Sequence, residues 1–148
     1  MSLKTILAAK GGDVISIEPT ADLAAAAKLL SMRRIGALVV LDAGGRLVGI
    51  LSERDIVRTM AESGSTVLQR KVAQVMTRKV STCDVNDSIG SVIDRMTEGK
   101  FRHMPVLDEG RLAGLISIGD ALKWHIDTIR EHIHQLESSL TEFELMRL

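Results

Sequence analysis

The chain has 148 residues, 45% of them hydrophobic, and its 19 basic side chains are balanced by 19 acidic ones. Zero net charge excludes a long-range field that would draw in nucleic acid or an anionic membrane, and the single cysteine, Cys83, excludes an intrachain disulfide and any multi-cysteine zinc site. No apolar run approaches the roughly 20 residues needed to span a bilayer, and the opening "MSLKTILAAKGG" is too short of apolar residues for a signal peptide, so a cytoplasmic protein is expected.

In chain order, Lys4–Lys10 is expected as a lead-in segment to a first structural unit. A short strand over Val14–Ile17 comes next. Leu23, Ala26, Ala27 and Leu30 then recur at i, i+3, i+4 and i+7, which predicts a helix with one apolar face, Thr20 standing before it as N-cap. Strands Ala37–Leu41 and Leu47–Leu51 flank "DAGG", which is hairpin turn chemistry, and a second helix starts at or just after Ser52. The stretch "AESGSTVLQRKVAQVMTRK" is polar at first, then predicts a short helix around Val67–Met76.

The series then repeats. A strand over Val80–Cys83 leads to a helix carrying Ile89, Val92, Ile93 and Met96, with Asp87 before it as N-cap. Strands Met104–Leu107 and Arg111–Ile116 flank "DEG", and another helix begins at Ser117. With one gap, at Gly45, identical letters fall at Val40/Val106, Leu41/Leu107, Asp42/Asp108, Gly49/Gly114, Ser52/Ser117 and Asp55/Asp120. The expected fold is α/β: two β-α-β-β-α repeats about a pseudo-twofold axis, over 4–62 and 63–126, with a helical extension over 127–148. A unit this small with few aromatic residues is marginal alone, so the two are expected to share one domain.

The last helix does not stop with the repeat. Leu122, Ile126, Ile129, Ile133, Leu136, Leu140 and Phe143 are spaced alternately by four and three, the seam of a coiled coil. Such a stripe must be buried, either back on its own domain or against a second copy of the chain; pairing with a second copy is the expectation.

Each repeat ends in Gly, two aliphatics, Ser, two variable positions and Asp: "GILSERD" and "GLISIGD". Two readings apply. Ser-x-x-Asp before an apolar helix is a capping box, with no function beyond stability. It also sets a carboxylate one turn into a helix whose N-terminus favours anions, where it can accept hydrogen bonds from a vicinal diol such as ribose.

The stretches "MRRIGALVVLDAGGRLVGILSERDIV", "EGKFRHMPVLDEGRLAGLISIGDAL" and "VMTRKVSTCDVNDSIGSVIDRM" resemble a tandem pair of CBS domains, the cystathionine β-synthase regulatory module. The resemblance covers about residues 4–126. It implies ligand sensing rather than catalysis, in two clefts that take adenosine-containing molecules: AMP first, or ADP, ATP, NAD(H) or S-adenosylmethionine, with no metal required. Asp55 and Asp120 would accept the ribose hydroxyls, with Ser52 and Ser117 near the phosphates. Ile35, Gly36, Ala37 and Phe101, Arg102, His103, Met104 would line the base pocket, and Ser16 and Thr82 would border it. Lys100, Arg102 and His103 stand where phosphate-binding cations are expected. Arg54 is a further candidate whose counterpart is Gly119, and Arg33 and Arg34 lie just upstream of the first pocket. Val39 departs from the pattern, since the second repeat has Pro105 there. The expected assembly is a homodimer formed through the paired repeats and the tail helix, with no nucleic-acid or membrane partner and no effector visible in the chain. The rival reading is a ligand-free assembly module.

Other signals are set aside. His125 and His132 share a helix face without the usual zinc spacing. Asp84 and Asp87 suit turn and capping duty, and Cys83 a buried strand. Arg33, Arg34, Arg70, Lys71, Arg78 and Lys79 could form a nucleic-acid face, but no aromatic platform accompanies them.

Overall fold

The computed structural model describes residues 2–11 and 13–148. In chain order the elements are α1 (Leu3–Lys10), β1 (Ser16–Ile17), α2 (Leu23–Arg33), β2 (Ala37–Leu41), β3 (Leu47–Ser52), α3 (Glu53–Ser63), α4 (Val72–Val75), β4 (Cys83–Asp84), α5 (Ile89–Gly99), β5 (His103–Asp108), β6 (Arg111–Ser117) and α6 (Ile118–Met146). The α/β double repeat is therefore present. Two three-stranded sheets have the same topology: β1 is parallel to β2 and β2 antiparallel to β3, and likewise for β4, β5 and β6. Register shifts at matching places, Val40/Leu41 and Val106/Leu107.

The hairpin turns explain the single alignment gap. In the second repeat Glu109 and Gly110 both have positive φ, 50° and 78°, the signature of a two-residue turn that matches strand twist. The first repeat has an extra residue: Asp42 Oδ1 accepts from the N–H of Gly44 and of Arg46, both at 2.9 Å, and Gly45 takes the positive φ of 78°.

Several expected boundaries move. The N-caps are Asp22 and Ser88, whose side chains accept from Ala25 N and Ser91 N, rather than Thr20 and Asp87. Both true caps sit directly before the first helical residue, where a side chain can reach the N3 donor. Asp87 instead closes a turn, accepting from Asp84 N at 2.9 Å. The first strands are two residues each, Val14 and Val80 lying before them. The helix expected around Val67–Met76 is a 3-10 turn, Ser65–Gln69, followed by the short α4.

The core comes in two halves, and the lead-in segments cross between them. Leu3 and Ile6 of α1 pack with Met96, Met104, Val106 and Ile116 of the second repeat. Val72 and Met76 pack with Leu23, Leu38, Val40 and Leu51 of the first. Lys4–Lys10 thus serves the repeat that follows it by some eighty residues, not its neighbour. The repeated glycines make room for this exchange: a Cβ on Gly114 would lie 2.5 Å from Leu7 Cδ2, and one on Gly49 would lie 2.5 Å from Met76 Sδ.

Only the start of α6 belongs to the domain. Ala121 is fully buried and Trp124 packs on the second core. The seam side chains are exposed, from 42% at Leu122 to 65% at Leu136. The stripe does not fold back on its own domain. Among the described residues, no helix is long and apolar enough to cross a membrane.

Candidate functional site

Both Ser-x-x-Asp phrases are capping boxes. Asp55 N donates to Ser52 Oγ at 3.3 Å, and Ser52 N donates to Asp55 Oδ2 at 2.9 Å. At α6, Asp120 N donates to Ser117 Oγ and Ser117 N to Asp120 Oδ2, each at 3.1 Å. The first helical N–H of each helix is satisfied too, by Gly36 O at Glu53 and by Arg102 O at Ile118. The same carboxylates also carry a cation each. Arg58 Nη2 lies 3.0 Å from Asp55 Oδ1, and Lys10 Nζ lies 2.6 Å from Asp120 Oδ2.

Two cavities open beside these carboxylates, and each is assembled from both repeats. Cleft A, of about 430 Å³, joins Ser117 and Asp120 to Arg34, Ile35, Gly36 and Ala37 of the first repeat, with Asp13–Ile15 and Lys10 at its side. Cleft B, of about 420 Å³, joins Ser52, Arg54 and Asp55 to Lys100, Phe101, Arg102 and His103 of the second, with Lys79–Ser81 and Arg58. Gly36 and His103 line both. A Cβ on Gly36 would lie 3.0 Å from the His103 ring, so the imidazole rests on the glycine and forms part of the wall between the clefts.

Four of the residues expected at the site lie elsewhere. Met104 is fully buried in the second core, because alternation along β5 turns it away from the face His103 presents. Ser16 and Thr82 sit in β1 and beside β4 outside both cavity walls, where Asp13–Ile15 and Lys79–Ser81 stand instead; the Thr82 carbonyl is taken by Arg95. Gly119 is exposed on the first turn of α6 and lines neither cavity.

The clefts differ in charge. Cleft B holds Arg54, Arg58, Lys79, Lys100 and Arg102 against Glu53 and Asp55; cleft A holds Lys10 and Arg34 against Asp13 and Asp120. Arg34 and Lys100 occupy equivalent positions, each ending its helix in the left-handed conformation with φ of 53° and 58°. Burial pushes the Asp120 carboxyl up, but the hydrogen bonds from Lys10 and Ser117, with the Lys10 charge, outweigh it and hold the group below its ordinary 3.8. Burial, then the nearby Lys10 charge, lowers the His103 imidazole below 6.5 against the opposing pull of Glu53 and Asp120. Burial raises the Cys83 thiol to about 11, so it is inert as a nucleophile.

Sequence reasoning missed Lys10, Arg58 and the wall residues Asp13 and Ser81. Arg58 was legible as an i, i+3 partner of Asp55 on one helix face. Lys10 was not, because its contact depends on α1 crossing to the other repeat.

A family model for the CBS domain matches residues 9–62 and 72–127. The CBS domain-containing protein CBSX3, mitochondrial, of Arabidopsis thaliana is 31% identical over 117 residues, 76% of this chain and 57% of that protein. The crystal structure of the CBS-domain containing protein ATU1752 from Agrobacterium tumefaciens shares 42% identity and a TM-score of 0.82, over 84% of this chain and 99% of that one. The CBS domain pair of protein MJ0100, in complex with 5-methylthioadenosine and S-adenosyl-L-methionine, shares 25% identity and a TM-score of 0.76, over 86% of this chain and 98% of that one.

Proposed function

The chain belongs to the CBS-domain family as a tandem pair, a non-catalytic module, and from that premise we propose that it is a regulatory module that binds adenosine-containing ligands in clefts A and B. One observation carries the reading. Each cleft sets a Ser-x-x-Asp carboxylate from one repeat against a backbone-rich wall from the other, Ile35–Ala37 or Gly99–His103, so a ligand bridging them ties the repeats together. The adenosine ligands of the related MJ0100 pair support the same class.

In this reading Asp55 and Asp120 take the ribose hydroxyls, exchanging Arg58 and Lys10 for the diol, and the base lies against Gly36 or Phe101. Cleft B, with its excess of cations, takes the more highly phosphorylated ligand, because Arg54, Lys100 and Arg102 can give charge-assisted bonds to phosphate. Cleft A suits AMP or a less charged adenosine compound. Because Ser117 and Asp120 open the helix that becomes the tail seam, ligand in cleft A acts directly on the base of α6. The working form is a homodimer joined through the paired repeats and α6. The second reading, a ligand-free assembly module, draws on the capping boxes, which by themselves account for both Ser and Asp.

The test is thermal denaturation with AMP, ADP, ATP, NAD, NADH and S-adenosylmethionine, comparing wild type with Asp55→Ala, Asp120→Ala, Ser52→Ala and Ser117→Ala. A ligand at about 100 times its dissociation constant adds about 2.7 kcal/mol, or about 5–10 °C for a chain of this size. A shift lost in an Asp variant and kept in the matching Ser variant separates ribose binding from capping. No shift with any ligand, on protein freed of carried-over nucleotide, leaves the assembly module.

A further inference from the structure

The exposed stripe on α6 needs a cover. Ala121 and Trp124 face the domain, whereas Leu122, Ile126, Ile129, Ile133, Leu136, Leu140 and Phe143 lie on another face, all more than two-fifths exposed. From Leu122 to Phe143 the seam runs about 33 Å at 1.5 Å per residue. A helix this far outside any core lacks the tertiary packing that supplies most helical stability.

The charges beside the stripe identify the cover. Taking Ile126, Ile133 and Leu140 as one core position and Ile129, Leu136 and Phe143 as the other, the flank next to the second is Lys123, Arg130, Glu137 and Glu144. The order is two cations, then two anions, so the flank is complementary to itself only when reversed. All four side chains are exposed, and none has an ion pair within the chain among the described residues.

We propose that α6 pairs with α6 of a second copy in antiparallel orientation, in the one register that sets Ile133 against the partner's Leu136. This inference rests on the reading above for the pairing of two copies through α6 and adds its orientation and register. It sets aside the contact between paired repeats within that dimer, because an antiparallel α6 pair holds the two domains apart. In that register Ile126 meets the partner's Phe143 and Ile129 the partner's Leu140. Arg130 then lies beside the partner's Glu137 and Lys123 beside the partner's Glu144, each pair occurring twice by symmetry. The opposite flank, His125, His132 and Ser139, brings no like carboxylates or permanent cations together. Slipping by one heptad sets Arg130 against Arg130 or Glu137 against Glu137. Parallel pairing sets Arg130 beside the partner's His125 and leaves Lys123 without an acidic neighbour. One register therefore pairs the six seam residues from Ile126 to Phe143 with one another and satisfies all four charges, Leu122 lying next to the domain opposite the partner's Arg147. Each slipped register brings one like-charged pair together, and the parallel pair leaves Arg130 and Lys123 without acidic partners. It also places the two domains at opposite ends of the paired helices.

The experiment is sedimentation equilibrium on the full chain, with disulfide trapping. The wild type is expected to be a dimer. Arg130→Glu, which faces Glu137 twice, is expected to weaken it about tenfold, and the charge swap Arg130→Glu/Glu137→Arg to restore it to within about threefold. Ile133→Cys and Leu136→Cys, mixed and oxidised, are expected to cross-link to each other in preference to themselves. A dimer that ignores Arg130→Glu, a swap no better than the single variant, self-linked cysteine variants, or no cross-link at all overturns the antiparallel register while leaving the homodimer in place. A monomeric wild type overturns both.

Discussion

The Lys10 ammonium lies 2.6 Å from Asp120 Oδ2 and 3.0 Å from the Leu115 carbonyl, so a side chain from α1 rests on the first turn of α6. Its counterpart in cleft B is Arg58, which reaches Asp55 from within the same helix. The two carboxylates are therefore held by cations of different origin. Displacing Arg58 rearranges one side chain. Displacing Lys10 loosens the contact between the N-terminal helix and the helix that carries the tail.

Lys10→Met keeps the aliphatic stem and removes this competitor. The pair is part-exposed, 44% at Lys10 and 31% at Asp120, so its loss costs under about 1 kcal/mol in stability. Adenosine, which has no phosphate to offer Lys10 in return, is expected to bind cleft A several-fold more tightly in the variant. Isothermal titration in an Asp55→Ala background reads cleft A alone. An unchanged or weaker adenosine affinity would mean that Lys10 does not compete for the ribose site.

Lys100 and Arg34 hold a conformation that glycine adopts at no steric cost. Lys100→Gly is expected to stabilise the fold by about 0.5–1 kcal/mol and to weaken ATP in cleft B more than adenosine. Opposite signs for stability and affinity are the informative result, read by urea denaturation and titration on the same variant. If ATP and adenosine weaken equally, Lys100 touches no phosphate.

The repeat, the sheets and the capping boxes were legible because each is written within a few neighbouring residues. Gly49/Gly114 and Ser52/Ser117 stand at one spacing, and strand alternation and helical period follow from local pattern. Cap identity was misread because Thr20 and Asp22, or Asp87 and Ser88, have equal capping chemistry and differ only in where the first helical residue falls. What stayed hidden was the long-range exchange. Nothing near Leu3 or Lys10 says that α1 packs on Met104 and Asp120, so the walls of both clefts could be named by repeat but not matched to one another. Met104 belongs to the stretch that the family resemblance implies for the base pocket, but alternation along β5 turns its side chain to the face opposite His103.

The crossing lead-ins give Gly49 and Gly114 unequal tolerance. At Gly114 the atoms nearest an added methyl would be Cδ2, Cδ1 and Cγ of Leu7, at 2.5, 3.2 and 3.3 Å, all in one side chain that can rotate; at Gly49 they would be Met76 and also the Thr77 carbonyl at 3.0 Å. Thr77 is fixed there by paired backbone hydrogen bonds with Ile50, 3.0 and 2.9 Å. Gly49→Ala is expected to cost about 1–3 kcal/mol as overpacking and Gly114→Ala less. Chemical denaturation of the two variants gives the order directly, and a larger loss at Gly114 would contradict the backbone contact as the cause.

His103 makes stability depend on pH near neutrality. The imidazole is held below 6.5 by burial and by the Lys10 charge, with Arg102 adding to the effect and Glu53 and Asp120 opposing it. Between that lowered value and 6.5 the unfolded chain binds more protons at this residue than the folded one, so stability falls as pH drops through the window. Asp120 titrates in a lower range, since its pKa lies below 3.8. His103→Gln cannot take up the proton, so its urea midpoint is expected to fall less than that of the wild type between pH 7.5 and 5.5. An anionic ligand in either cleft should favour the imidazolium and shrink the same difference, because His103 lines both. Equal losses in wild type and variant would show that the buried imidazole is not what the pH change acts on.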